Sequence, residues 1–158
     1  MSSSVLLILV TVFYAGYNIF IKLSGEHVPP IATTTILATI CLQVAALATS
    51  VIFISALAAK GGHVFTLAPK AYLWATVGGV CIGVAEIGYL YLFGGLGGLK
   101  PMAANIAIPT IVCGTIVIAM LFSYIVLKES FNWNHMLGSL LIFTGVVFLF
   151  FPKTTIVE

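Results

Sequence analysis

Five apolar runs occupy nearly all of the chain, over residues 5–23, 31–59, 71–93, 102–127 and 133–151. A helix needs about 20 apolar residues to cross the hydrocarbon core of a bilayer, and these runs are of that order. The second is 29 residues long, so it should tilt or extend past the bilayer. Only short breaks separate the runs. They are Ser24-Gly25-Glu26-His27 with Val28-Pro29-Pro30, Lys60-Gly61-Gly62-His63 with the stretch to Pro69-Lys70, Gly94-Gly95-Leu96-Gly97-Gly98, and Lys128-Glu129-Ser130-Phe131-Asn132. The pattern predicts an all-α integral membrane protein, one five-helix domain over residues 1–158. A transmembrane β-barrel is excluded, because the runs are continuous rather than alternating.

Composition removes other classes. Hydrophobic residues make up 61% of the chain and charged residues 6%, where a soluble domain carries about 25% charged. The charges are six Lys and four Glu, with no Arg or Asp. Six scattered lysines form no basic patch, which argues against a nucleic-acid partner. No His/Asp/Glu cluster, Ser-His pair or metal motif is present, so neither an enzyme nor a cofactor is expected. His27, His63 and His135 lie in or near different loops. Cys41, Cys81 and Cys113 fall inside apolar runs without ligand spacing and read as small packing residues. The N-terminus, Met1-Ser2-Ser3-Ser4, has no Lys or Arg and no small-residue cleavage site after its run. It reads as a retained first helix of a multi-pass protein of the plasma or inner membrane.

Five spans put the termini on opposite sides. The N-terminal side then holds Lys60, Lys70 and Lys128, and the other side holds Lys22, Lys100 and Lys153. Orientation normally follows an excess of Lys and Arg in cytoplasmic loops, and here there is none. One reading is that other signals fix a single topology. The other is dual topology, in which two copies pair antiparallel and reproduce the inverted-repeat architecture of many transporters.

Glu86 is the only acidic residue inside a span, about 6 Å past the middle of its run. A carboxylate at that depth is costly unless protonated, paired or wet. It reads either as a proton-coupling or cation-binding group or as a hydrogen-bonded lock between helices. Thr11, Tyr14, Asn18 and Lys22 form one polar stripe, and Thr35, Thr39, Gln43, Ala46 and Ser50 form another, both at helical spacing. Each reads as cavity lining or as interhelical hydrogen bonding. Asn18 and Gln43 carry two-ended amides suited to solute recognition. Pro109 removes the donor for the carbonyl of Asn105 and could open polar backbone to a cavity. Tyr14 and Tyr89 could stack on an aromatic or cationic ligand. Lys22 either contacts solute, snorkels, or pairs with Glu26 four residues on. The candidate set for substrate binding and coupling is therefore Glu86, Asn18, Gln43, Asn105, Tyr14, Tyr89 and Lys22. Gly79 with Gly83, and Gly138 with Gly145, read as close-packing seams.

Several segments carry a family resemblance over essentially the whole chain. Ala15-Gly16-Tyr17-Asn18-Ile19-Phe20-Ile21-Lys22-Leu23 followed by Val28-Pro29-Pro30 resembles the first helix of EamA-type repeats of the drug/metabolite transporter superfamily. So do Ile108-Pro109-Thr110, Leu127-Lys128-Glu129-Ser130 and the stretch from Gly138 to Val147, in that order, resemble the later helices of the repeat. The resemblance implies ten helices made of two inverted five-helix repeats. This chain carries one repeat, which points to an antiparallel homodimer. The Gly94–Gly98 stretch departs from the family pattern and suggests a flexible turn. The implied function is a small transporter of metabolites or drug-like solutes working by alternating access, with Glu86 as a candidate proton-coupling group. Its partners would be a small-molecule solute, protons, membrane lipid and a second copy. The alternative is a non-transporting accessory subunit of a membrane complex.

Overall fold

The computed structural model describes residues 2–62, 65–95, 99–130 and 132–150. Among these, all regular structure is helical: α1 (Ser3–His27), α2 (Ala32–Lys60), α3 (Pro69–Gly94), α4 (Ala104–Ile125) and α5 (Trp133–Leu149). The first four are long and apolar enough to cross a membrane, and α5, at 17 residues, is shorter. The last residue of the run expected over 133–151, Phe151, lies outside the described residues, as do His63 and Lys153.

Local chemistry sets the helix ends a few residues from the apolar boundaries. The Ser2 hydroxyl accepts from the Val5 N–H, so α1 starts two residues before the apolar run at residue 5. It runs on through Ser24-Gly25-Glu26 to His27, where extended Val28 and the two prolines stop it. Pro69 opens α3, its missing N–H being one that a first turn leaves unused. Gly95 ends α3 at φ +72° and returns its N–H to the Tyr91 carbonyl at 3.0 Å. A Cβ there would lie 2.8 Å from the Leu99 carbonyl oxygen, so only glycine fits. The start of the turn expected to be flexible is thus a defined cap, and Leu96–Gly98 lie outside the described residues. Helix α4 stops at Ile125, short of the run that reaches residue 127. Lys128 takes φ +53°, and the Glu129 N–H turns back to the Ser123 carbonyl at 3.2 Å. The Ser123 hydroxyl donates to the Glu129 carboxylate and closes the cap.

The chain divides into two compact units, residues 1–101 and 102–158. In the first, α3 packs on both α1 and α2. Its burial is concentrated at one end. Ile21 and Gly25 of α1, Thr35 and Thr39 of α2, and Glu86, Tyr89, Leu90 and Phe93 of α3 are buried, while the remainder of α2 beyond Gln43 is exposed. Asn18 meets Tyr89 and Gly25 meets Phe93, so α1 and α3 run in the same direction. Large apolar side chains such as Phe13 and Phe20, each 71% exposed, point outward, as helices that are apolar all round do in lipid. In the second unit α5 packs on α4, and an apolar groove of about 760 Å³ lies between them, edged by Met120, Tyr124, Trp133 and Met136.

The hydroxyls of the polar stripes bond within their own helices rather than across to another. Thr11, Thr35, Thr39, Thr49, Ser50 and Thr76 each donate to a carbonyl four residues back. That bond satisfies the hydroxyl hydrogen within the helix and leaves the oxygen lone pairs available. Among the described residues, an interhelical side-chain hydrogen bond within this unit comes instead from an amide and a phenol, Asn18 and Tyr89.

Candidate functional site

The closed end of the first unit gathers its polar and aromatic groups on the seam between α1 and α3. Glu86 is 3% exposed, and its Oε2 has no hydrogen-bond partner among the described residues. The Tyr17 hydroxyl of α1 is also buried and also without a partner there. It faces the Glu86 carboxylate closely enough for the two to act on each other, although neither of the two atoms closes a bond at full hydrogen-bond geometry. A buried polar atom left unpaired costs about 1–3 kcal/mol, more when it is charged. Two such atoms opposite each other in one seam are therefore not filler.

One turn further along α3, the Tyr89 hydroxyl donates to Asn18 Oδ1 at 2.8 Å. The Nδ2 of the same amide donates to the Tyr14 carbonyl at 2.9 Å, so both ends of Asn18 are engaged. The Tyr89 ring lies against Phe93 with centroids 4.9 Å apart. Lys22 Nζ sits 5.2 Å from the centroid of Phe93 and pairs with Glu26 at 3.2 Å, the i, i+4 pairing its spacing suggested. The seam is tight because Gly25 lacks a side chain: a Cβ there would stand 2.7 Å from the Cβ of Phe93. Tyr14 is 63% exposed and turns its ring edge-on to Tyr17, centroids 6.4 Å apart.

Gln43 lies on the other flank of α3. Its Nε2 is 3.1 Å from where a Gly83 Cβ would be, and it lines a groove of about 530 Å³ with Thr39, Thr76, Gly79 and Gly83. Gly79 has open space around it, so the small pair on α3 widens this groove rather than sealing it. Asn105 is exposed near the start of α4 and belongs to the other unit. Pro109 stands inside α4 without ending it, and Thr110 donates to the Ile106 carbonyl at 2.7 Å. Among the described residues, no three His, Cys, Asp or Glu side chains gather as metal ligands.

Glu86, Tyr89, Asn18 and Lys22 thus share the α1–α3 seam with Tyr14 at its edge. Gln43 lines a groove beside it. The residue missed by sequence reasoning is Tyr17. It sits one position before Asn18, and three after Tyr14, so widening the first polar stripe by one position includes it. Its importance comes from what it faces, which no single-helix pattern shows. The seam can hold one acid–hydroxyl pair away from water. The groove can offer amide and hydroxyl groups to a solute.

Comparison with known proteins agrees with a membrane role. The family model described as the EamA-like transporter family matches residues 1–151. No curated protein and no solved structure matches the chain.

Proposed function

We propose that this chain, which belongs to the EamA-like transporter family, moves a small solute across the membrane by alternating access and couples that movement to protons through Glu86. The observation that carries the reading is the carboxylate of Glu86, 3% exposed inside a membrane-length helix with one oxygen unpaired. Such a group is expensive to keep at this depth, and intramembrane carboxylates mark proton and ion pathways. In this reading Glu86 binds and releases a proton. Within the first unit, Gln43 contacts solute in the α2–α3 groove, and Asn18 becomes free to do so when its bond to Tyr89 opens. Within the second unit, Asn105, exposed near the start of α4, is a separate candidate contact. Tyr14 and Tyr89 offer ring faces, and Lys22 holds the end of the seam. Two copies arranged antiparallel complete the transporter, because one five-helix repeat supplies only one wall of a solute path.

The test uses purified protein alone in proteoliposomes. Uptake of radiolabelled amines, amino acids and organic cations is followed under an imposed pH gradient, in the native chain and in Glu86→Gln. We expect gradient-driven uptake of at least one probe and its loss in the variant. Equal uptake in both would remove Glu86 from the coupling. No flux of any probe from the native chain would favour an accessory subunit. Tags on both termini, read on each face of the membrane, decide the antiparallel pairing: a tag seen on one face only rejects it.

A further inference from the structure

We infer that Tyr17 is the hydrogen-bond partner of Glu86 in both of its protonation states, and that the cation this seam takes is a proton rather than an alkali-metal ion. The inference rests on the reading of Glu86 as the coupling group and adds the residue that makes its exchange workable.

Helices α1 and α3 run in the same direction, with Asn18 against Tyr89 and Gly25 against Phe93. That register puts Tyr17 at the level of Glu86. The other polar groups of the seam already have partners. Asn18 is engaged at both ends, and Tyr89 donates to it. From α2, Thr35 donates to the Ile31 carbonyl and Thr39 to that of Thr35. Two buried atoms are left over among the described residues, the Tyr17 hydroxyl and Glu86 Oε2. The titratable groups facing Glu86 are Tyr17 from α1 and Tyr89 from its own helix, with Tyr14 behind Tyr17; the buried polar groups of α2 are threonines. Lys22, one turn beyond Asn18, is tied to Glu26 and Phe93.

A tyrosine hydroxyl is both donor and acceptor. With Glu86 ionised, the Tyr17 O–H donates to Oε2. When hydronium reaches the seam, one of its O–H bonds breaks, an O–H bond forms on Oε2, and water leaves. The Tyr17 O–H stays intact and rotates, and its oxygen accepts the new Glu86 O–H. Each state then closes one hydrogen bond between Glu86 and Tyr17, so the carboxyl has a partner whether ionised or protonated. This lowers the energy gap that would otherwise trap a dry carboxyl in one form. A lone hydrogen-bond donor such as Lys could not do this, because it cannot accept. An alkali ion fits poorly: hard cations gather about six oxygens. Beside the Glu86 carboxylate the seam offers the Tyr17 hydroxyl, Asn18 Oδ1 being taken by Tyr89, and even with the oxygens of Thr35 and Thr39 from α2 the set falls short of about six.

The experiment is infrared difference spectroscopy of the purified protein in lipid bilayers, with the proton itself as the probe. Acidification should raise a carboxylic C=O band that Glu86→Gln removes. Tyr17→Phe should move that band to the higher wavenumber of a carboxyl lacking its partner. In the native chain, the tyrosine C–O stretch should shift with the same pH midpoint as the carboxyl band; this reading needs no variant to fold. Sodium chloride at fixed pH should leave both bands in place. A carboxyl band unmoved by Tyr17→Phe, or a tyrosine band silent through the transition, overturns the role of Tyr17 while leaving Glu86 as an exchange group. A carboxyl band erased by sodium overturns the proton selectivity. The absence of any Glu86 band overturns the coupling reading and this inference together.

Discussion

The Tyr89 hydroxyl donates to Asn18 Oδ1 at 2.8 Å, and Asn18 in turn donates to the Tyr14 carbonyl at 2.9 Å. An amide on α1 is thereby held by its own helix and used as a fixed acceptor for α3. In lipid, apolar helices gain little by exchanging hydrocarbon neighbours for one another, so polar bonds and close packing decide where they meet. This bond and the Gly25–Phe93 approach lie about two turns apart on α1, and the buried end of the unit is where both occur.

That pairing predicts a measurable coupling. Tyr89→Phe should lower stability by about 0.6–1.7 kcal/mol, the range seen for interhelical hydrogen bonds in membranes. Asn18→Ala should cost more, because it leaves a buried Tyr89 hydroxyl unpaired. The double variant should be less destabilised than the sum of the two. A double-mutant cycle measured by unfolding in mixed micelles checks this, and strict additivity would contradict it.

Gly25 should tolerate nothing larger. Gly25→Ala places a methyl 2.7 Å from the Phe93 Cβ, a backbone-anchored atom that cannot swing away. Overpacking of this kind costs about 1–3 kcal/mol. Gly79→Ala, with open space around it, serves as the control and should leave the melting temperature nearly unchanged. Equal melting temperatures for both variants would mean that the seam is looser than the structure has it.

Gln43 separates stability from transport. Its side chain is exposed and lines a groove. Gln43→Leu should therefore leave the melting temperature in detergent unchanged or slightly raised, and should reduce solute uptake by roughly tenfold or more, the loss expected when a polar contact to solute is removed. Retained uptake would place the solute elsewhere.

Lys128 carries a backbone cost that glycine would relieve. A non-glycine residue at φ +53° is disfavoured by roughly 1–2 kcal/mol. The greater freedom of glycine in the unfolded chain returns part of this, so Lys128→Gly should stabilise by about 0.5–1 kcal/mol. Ser123→Ala should act the other way, by removing the hydroxyl that donates to Glu129 and closes the end of α4. Thermal melting of both variants checks the pair of signs.

Helix number and placement were legible because lipid demands long apolar runs, and those runs stand out against a chain with 6% charge. The ends were less so. Nothing in the apolar boundary at residue 127 announces that Lys128 turns left-handed and that Ser123 reaches Glu129. Glu86 was legible as the lone acid in a span, and its unpaired oxygen gives that singularity a physical form. The fate of the threonines was not, since spacing tells which face a hydroxyl occupies but not that it will bond its own carbonyl. Tyr17 escaped for a related reason. Its neighbour across the seam lies 69 positions away in sequence, and only the register of α1 on α3 brings them level.

Three helices joined at one end form a pair of dividers. The free arm of α2 beyond Gln43 runs 17 residues to Lys60, roughly 25 Å at the rise of an α-helix. A swing of about 10° at the hinge would carry its tip by some 4 Å, roughly the rise of three residues. Small rearrangements among a few side chains near Glu86 would thus be geared to larger excursions at the opposite rim, with no need for any helix to bend.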